Sequence, residues 1–472
     1  MQRARDLCLR ILPSPGDRHA QCTLTIQSAR RHIHVSIDVW SSISGRTSQA
    51  IAEDLRELVD AGHLAAGTRL PTIRALASSL SVSPTTVSDA WGRLHASGVI
   101  RTEGRRGTFI APRSGKRQIS TTAGSILMDV AQGAADPELQ PALQNAFTAA
   151  LSGDTVNAHD FAYITDPLRS AVEEDWPYRP ASWTTADGAT DASALVLRAL
   201  APRARPVAVE QPTAQRTMAL LRHHRRAQVG VSWDEEGPDP DQLRQAVVQR
   251  KAGMFYWQPR AHYPSGRSAS PRRVRELADV LETHPDVVIV EDDMVGAAST
   301  APAVSLARHL PDAVVRIRSF DVSHGLGLRT AVISGSNDAI RAVNMARGML
   351  AVWNSPVLQN ALAWLLTDAD TRAFVQSAAR RYEQRRRALV RSMDEAGLPL
   401  PAGEGLVLWV PVREEVAAVE HLTADGMIGG LGSVCWLDAV DRGHIRIPVG
   451  QTDLTRSQRE RMAAALVSAV TA

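Results

Sequence analysis

The chain has 472 residues and is poor in lysine, in cysteine and in long apolar runs. Only Lys116 and Lys251 are lysines among its 53 basic residues, so chemistry that needs a side-chain amine has two candidates. The three cysteines have neither metal-ligand spacing nor a dense disulfide pattern, which is typical of a reducing cytoplasm and predicts no metal site. No apolar run approaches the roughly 20 residues that span a bilayer, so we expect a soluble, cytoplasmic protein.

Length and charge limit the architecture and the partners. A chain this long exceeds what one core usually supports, so two or three domains are expected. The formal net charge is only +3, so any nucleic-acid surface must be local. Between residues 101 and 117 the only acid is Glu103, against the cations Arg101, Arg105, Arg106, Arg113, Lys116 and Arg117.

Residues 72–110 have the pattern of a winged helix-turn-helix. Two apolar stripes recur at helical spacing, which predicts two helices that each bury one face. Ser83 can cap the second helix and Pro84 suits its first position. Val99–Ile100 and Thr108–Ile110 resemble two short strands around a glycine- and arginine-rich turn. The stripes are Ile73, Leu76, Ala77 and Leu80, then Val87, Ala90, Trp91 and Leu94.

The outward residues of the second helix suit a DNA groove better than a protein core. They are hydroxyls and a guanidinium, and two arginines lie at the turn of the predicted wing. A small helical bundle with an arginine-bearing loop is the alternative, but the ordered set of cap, turn, helix and basic wing favours DNA binding. The candidate DNA-binding residues from this pattern are Ser83, Thr85, Thr86, Arg93, Arg105 and Arg106.

The rest of the chain divides by composition. Residues 1–38 show no sustained period, so they are expected to be a disordered extension or an upstream extension of the coding frame. Residues 39–112 form the predicted winged helix, and 113–126 are a polar linker. From 127 to 472, apolar strands alternate with helices, which predicts a mostly parallel sheet between helices. A long helix over about 370–396 opens a smaller C-terminal strand-and-helix unit, about 370–472.

The predicted winged helix resembles the GntR type. LPTIRALA, VSPTTV and the wing GVI…GRRGTFI stand in that family's order over roughly residues 44–112. The resemblance implies that Arg74, Thr86 and Gly107 meet phosphates or the minor groove, and that Ser83 opens the recognition helix. Pro84 stands where the family usually has a base-contacting arginine, so the operator of its relatives cannot be transferred.

Residues 127–472 resemble the fold-type I aminotransferases, and a GntR winged helix before such a domain is the arrangement of MocR-type regulators. The motifs DVAQGAADPELQPAL, TTADGATDASALVL, PRAHYPSG, EDD and SFDVSHGLGLR occur in the family's order. The fold class implied is α/β: an N-terminal winged helix-turn-helix plus a large α/β aminotransferase-like (fold-type I) domain with a small C-terminal α+β subdomain. The resemblance also implies a homodimer, and MocR-type regulators normally bind pyridoxal phosphate.

The resemblance places Val322 where the family has the lysine that forms a Schiff base with the cofactor. A valine offers no amine, so covalent pyridoxal phosphate catalysis is not expected and the domain is interpreted as catalytically inactive. By the same resemblance Ala214 replaces the ring-stacking tyrosine, Met294 a further tyrosine and Tyr263 the loop asparagine. Other positions keep the family's residues and leave open an anion-binding pocket. The residues kept are Gly188, Ala189, Thr190, Asp292, Ser319, Arg329 and Arg446.

Alternative roles remain open for several of these residues. Asp292 and Arg329 could be structural ion pairs, and Arg446 a solvated or fold-supporting charge. His324 could be a catalytic base, but a histidine in a glycine-rich turn is more often only hydrogen bonded.

We therefore predict a cytoplasmic, nucleoid-associated bacterial regulator. It would bind double-stranded operator DNA as a homodimer and require no cofactor. Its large domain would serve dimerisation and could sense a small anionic effector. The alternatives are a pyridoxal-phosphate-dependent aminotransferase, and a regulator that binds pyridoxal phosphate noncovalently.

Overall fold

The computed structural model describes residues 21–28, 31–38, 40, 43–60, 64, 67–96, 99–102, 107–110, 133–152, 162–348, 353–424, 427–437, 443–450 and 454–471. The chain divides into two compact units, Met1–Leu127 and Met128–Ala472. The predicted linker, residues 113–126, and the wing arginines Arg105 and Arg106 lie outside the described residues.

A β-hairpin comes first in the described part of the first unit, which differs from the absence of regular structure expected over residues 1–38. Strand β1 (Gln21–Ser28) pairs antiparallel with β2 (Arg31–Asp38). Both segments alternate apolar and polar residues with the two-residue period of a strand. The register aligns the apolar positions, with Leu24 opposite Val35 and Ile26 opposite Ile33. The sequence interpretation missed this period because it treated residues 1–38 as one arginine-rich stretch that carries Pro13 and Pro15.

The winged helix itself follows the sequence prediction closely. Its helices are α1 (Ser48–Asp60), α2 (Ile73–Leu80) and α3 (Pro84–Ala96), and its wing consists of β3 (Ile100–Thr102) and β4 (Thr108–Ile110). The predicted stripes of α2 and α3 pack against α1 in one core, where Leu55 and Leu94 are fully buried. Burying these faces holds the opposite face of α3 outward.

The second unit contains a seven-stranded mixed sheet in the order β5-β11-β10-β9-β8-β6-β7. All neighbours pair in parallel except β11, which is antiparallel to both β10 and β5. The mostly parallel sheet predicted from the sequence is confirmed. The strands are β5 (Ser182–Ala186), β6 (Val207–Gln211), β7 (Gln228–Ser232), β8 (Met254–Trp257), β9 (Val288–Asp293), β10 (Val314–Ser319) and β11 (Ala331–Gly335).

Helices cover both faces of this sheet, as a buried parallel sheet requires. Alternate residues of β8 enter different cores: Tyr256 packs with α6 and α11, whereas Phe255 and Trp257 pack with α8 and α9. The helices are α4 (Gln144–Leu151), α5 (Asp166–Glu173), α6 (Ala189–Leu200), α7 (Gln215–His223), α8 (Pro240–Val248), α9 (Pro271–Glu282), α10 (Asp321–His324), α11 (Asn337–Ala346) and α12 (Pro356–Thr367).

A smaller α+β layer completes the second unit. The long helix α13 (Ala369–Glu395) packs with α14 (Glu415–Ala424) and α15 (Arg456–Thr471) against a three-stranded sheet. That sheet has the order β12-β14-β13, with β12 (Val407–Val412), β13 (Gly430–Leu431) and β14 (Gly443–Pro448). The predicted C-terminal subdomain is thus present as an α+β unit.

Charged groups are buried within the large sheet. The Arg316 guanidinium lies between two carboxylates, with Nη1 2.7 Å from Glu291 and Nη2 2.8 Å from Asp293. Asp293 also pairs with Arg260 and Arg318. Burial alone would raise the pKa of Asp293, but these three guanidinium groups hold it well below its usual range. The network couples β9 to β10 through side chains as well as backbone.

Candidate functional sites

The recognition helix α3 begins as its sequence indicates. Ser83 Oγ accepts a hydrogen bond from the Thr86 N–H at 3.1 Å and lies 2.7 Å from the Thr85 hydroxyl. This caps one of the N–H groups that a helix start leaves without partners. Thr85 and Arg93 are exposed, and Thr86 is half-buried. The helix therefore presents short hydroxyls and one guanidinium opposite its buried face.

The wing glycine Gly107 lies beside Arg69, an arginine from the segment before α2. Gly107 has φ +109°, a conformation that favours glycine, and a Cβ built there would lie 3.0 Å from Nε of Arg69. Arg69 pairs through an isolated bridge with Phe109 of β4, and its side chain is exposed. Sequence reasoning named Gly107 but missed Arg69, although an arginine two residues before Pro71 was a visible signal. Arg74 is exposed near the start of α2.

In the second unit, the start of α6 holds a carboxylate. Gly188 precedes the helix with φ +86°, and a Cβ built on it would lie only 2.9 Å from Asp321 Oδ2. Burial raises the pKa of Asp321, while the polar groups of Ser319 and Ala189 offset part of that shift. The charges of Arg329 and Arg216 act in the same lowering direction. Asp321 therefore occupies the helix start, where an anion is favoured.

Not every residue predicted for this anion site enters it. Ser319 accepts a hydrogen bond from the Asp321 N–H at 3.2 Å, and Gly188 and Ala189 face the Asp321 carboxylate. Thr190 and Arg329 are exposed, and Arg329 has a left-handed backbone with φ +45°. The Asp321 carboxylate thus lies at the place where the sequence left open an anion-binding pocket.

A second cluster surrounds Asp292 near the end of β9. Asp292 Oδ2 lies 2.6 Å from Arg216 Nη2 and 2.8 Å from the Tyr256 hydroxyl, and its side chain is fully buried. Burial raises the pKa of Asp292, and Arg216 opposes that shift. Burial also raises the pKa of Tyr256 well above its ordinary value, and the charge of Asp292 adds to that shift. Arg216, which follows Ala214 on α7, was not predicted from the sequence.

Tyr263 and Arg446 form a third contact. Arg446 Nη1 donates to the Tyr263 hydroxyl at 2.8 Å, and its Nε donates to the Leu431 carbonyl at 3.1 Å. Both side chains are buried. Of the two alternatives for Arg446, the structure favours a fold-supporting charge over a solvated one.

No amine stands beside these groups among the described residues. Val322 is half-buried and packs against a cluster that contains Ala261 and Tyr382. Lys251 is exposed and precedes β8 at its amino end, whereas Asp292 lies near the carboxyl end of the neighbouring β9. His324 is buried, and its Nδ1 lies 2.8 Å from the Ser323 hydroxyl.

Pyridoxal phosphate, the cofactor that the fold implies, does not fit this set of residues. Its phosphate would meet the Asp321 carboxylate at the start of α6, which repels an anion. The carboxylate that would pair with its ring nitrogen, Asp292, already pairs with Arg216.

Comparison with known proteins identifies the class of protein to which this chain belongs. Residues 47–110 match the family described as bacterial regulatory proteins, gntR family, and residues 139–466 match aminotransferase class I and II. The second match takes in most of the chain, which therefore belongs to the aminotransferase class I and II family. The pair of domains is the MocR-type architecture, and the chain is a DNA-binding transcriptional regulator of that type.

Individual relatives agree with this class. The chain is 29% identical over 383 residues to the vitamin B6 salvage pathway transcriptional repressor PtsJ of Salmonella typhimurium, which covers 78% of this chain and 86% of that protein. It is 24% identical over 414 residues to the uncharacterized HTH-type transcriptional regulator YdcR of Escherichia coli, covering 79% and 87%.

The fold of the large unit also has solved counterparts. A multiple substrate aminotransferase from Thermococcus profundus aligns with TM-score 0.65 and 17% identity, over 72% of this chain and 90% of that one. At this identity the likeness shows the fold alone. Among the described helices, none is both long and apolar enough to cross a membrane.

Proposed function

We propose that this regulator reads an operator through α3 and anchors itself through the wing. The observation that carries the proposal is the capped start of α3, where Ser83, Thr85 and Thr86 form one hydroxyl cluster beside an exposed face. Thr85, Thr86 and Arg93 would lie near base edges. The phosphates would be met by Arg74, Arg105, Arg106, Gly107 and Arg69.

The proposal includes a homodimer formed by the large unit. Two winged helices would then face two half-sites, with centres about one helical turn of DNA apart or a multiple of it. Support comes from the aminotransferase-like fold, because the resemblance noted in the sequence implies a dimer. Sedimentation analysis of the full chain, with and without a two-half-site duplex, tests it. A monomer at all concentrations would contradict this part.

The DNA contact is tested by a gel shift on the protein's own promoter region. We expect Arg105→Ala with Arg106→Ala to weaken binding and to lower the slope of log affinity against log salt by about 2, because two phosphate contacts are lost. The matched control is Arg244→Ala with Arg272→Ala, two exposed arginines of the large unit. If the promoter is not shifted, or the control pair weakens binding equally, the proposal fails.

We also propose that the large unit performs no covalent pyridoxal phosphate chemistry. Support comes from Val322 at the position matched to the lysine and from Lys251 at the far end of β8. Protein mixed with pyridoxal phosphate should show no imine absorbance and no adduct after borohydride reduction. A reduced adduct at either lysine, together with amino-acid transamination, would favour an aminotransferase instead.

A small effector remains part of the proposal. The sequence offers small anionic metabolites and noncovalent pyridoxal phosphate, and the charges of Asp321 and Arg216 disfavour the latter. The name of the relative PtsJ associates that protein with vitamin B6 salvage, so pyridoxal phosphate is the ligand to test against. Thermal-shift screening identifies a ligand by the stabilisation it gives. The full chain is screened against substrates and products of the enzymes encoded near the gene. Calorimetry then separates noncovalent pyridoxal phosphate from other ligands, since a silent titration excludes it.

A further inference from the structure

The large unit carries two charged side chains where its family would place the ends of a cofactor. Asp321 sits at the start of α6, a 12-residue helix, with its carboxylate against Gly188. Arg216 pairs with Asp292 at 2.6 Å. Asp321 is an anion at a helix start that would favour a bound anion, and Arg216 is a cation that already pairs with the Asp292 carboxylate.

We infer that Asp321 and Arg216 are built-in ligands that close this site to phosphate compounds. This rests on the proposed function and deepens it, because it states which effectors the start of α6 excludes. The regulator would keep its large unit folded without a cofactor.

The helix start itself is suited to an anion. Its first N–H groups have no intrahelical partners, and the helix dipole adds partial positive charge there. The Asp321 carboxylate lies against Gly188 at this helix start, so a negative charge from within the chain already stands there. A free phosphate would have to displace this carboxylate and overcome its charge.

Gly188 shows how closely the carboxylate fits. A Cβ at residue 188 would approach Asp321 Oδ2 to 2.9 Å and Oδ1 to 3.4 Å, and the φ of +86° disfavours a side chain in any case. The carboxylate therefore lies against bare backbone.

Arg216 completes the arrangement at the other end. Its side chain is mostly buried, and Asp292 is fully buried. An uncompensated charge at such a site would be costly, so each keeps the other in place. A pyridine ring nitrogen that approached Asp292 would have to replace a guanidinium already bonded to it.

The test measures inorganic phosphate binding by calorimetry on the full chain. Wild type is expected to give no heat at millimolar phosphate. Asp321→Ser should bind phosphate at least about tenfold more tightly than wild type, because the helix start is vacated and one negative charge is lost. The control Asp338→Ser removes an exposed carboxylate from the first turn of α11 and should behave as wild type.

A second arm tests Arg216. Pyridoxal phosphate should bind Asp321→Ser no more tightly than inorganic phosphate does, since Arg216 still holds Asp292. Tighter binding of pyridoxal phosphate would overturn the role assigned to Arg216.

A third arm needs no variant, in case Asp321→Ser does not fold. The melting temperature of wild type should be equal in millimolar phosphate, where the general salting-out effect of phosphate is small, and in sodium chloride of matched ionic strength. Stabilisation of wild type by phosphate, or equal phosphate affinity of wild type and Asp321→Ser, would overturn the inference. Promoter binding measured in parallel keeps the two proposals apart, because it can persist when this inference fails.

Discussion

His324 is a buried histidine that titrates far from its ordinary range. Burial lowers its pKa from about 6.5 to about 4. Between these values the unfolded chain binds a proton that the folded chain does not. The folded state therefore loses stability as pH falls through this window, by about 3 kcal/mol at most.

We expect His324→Gln to flatten the dependence of unfolding free energy on pH between about 6.5 and 4. Urea unfolding at several pH values measures this directly. The control His309→Gln changes an exposed histidine and should leave the slope unchanged. If His324→Gln keeps the wild-type slope, His324 is not the group responsible.

The large-unit site contains residues that could be predicted from the sequence and residues that could not. Asp292, Ser319 and Gly188 could be named because a resemblance placed them. Arg216 and Asp321 could not, because their roles come from side chains that meet across different elements.

At the scale of single elements, the start of α3 depends on one hydroxyl. Ser83→Ala removes the acceptor for the Thr86 N–H, and loss of such a cap costs about 1 kcal/mol. Hydrogen exchange of a peptide covering residues 84–96 should become faster. Ser83→Asp restores an acceptor and should keep the protection. Equal exchange in Ser83→Ala and wild type would show that the cap does not stabilise α3.

Arg316 of β10 links this strand to β9 through two buried ion pairs. Arg316→Met leaves Glu291 buried without its guanidinium partner, so we expect a loss of about 3–5 kcal/mol in unfolding free energy. Chemical unfolding followed by circular dichroism measures it. Arg272, an exposed arginine that also pairs with two carboxylates, gives the control Arg272→Met, for which less than about 1 kcal/mol is expected. Similar losses in both variants would contradict this ranking.

Strands were predictable where a short apolar run marks them. β8 is apolar throughout, and β10 begins with two valines; β-branched and aromatic residues of this kind mark buried parallel strands. β5, with sequence SWTTA, and β7, with sequence QVGVS, were missed because their polar residues and glycine hide the pattern. Their place in the sheet is set by neighbouring strands, which no local window contains.

At the scale of the whole molecule, the boundary between the units lies at residues 127 and 128. The preceding sequence is polar and includes Arg113, Lys116 and Arg117. We expect limited trypsin digestion to cut first among these three residues and to release a fragment of about residues 118–472 that keeps its helical content. Intact-mass spectrometry identifies the cut.

A matched variant makes this test specific. Replacing Arg113, Lys116 and Arg117 by glutamine should protect the joined chain under the same conditions. First cuts inside α6 or α9 would contradict the division into two units.

The position of Lys251 has a practical consequence for measurement. It is exposed at the amino end of β8, and Lys116 is the only other lysine of the chain. An amine-reactive fluorophore would therefore mark one place in each unit besides the amino terminus. Lys116→Arg or Lys251→Arg would remove either label while keeping the charge. The chain is thus suited to energy-transfer measurements of how operator binding changes the distance between its two parts.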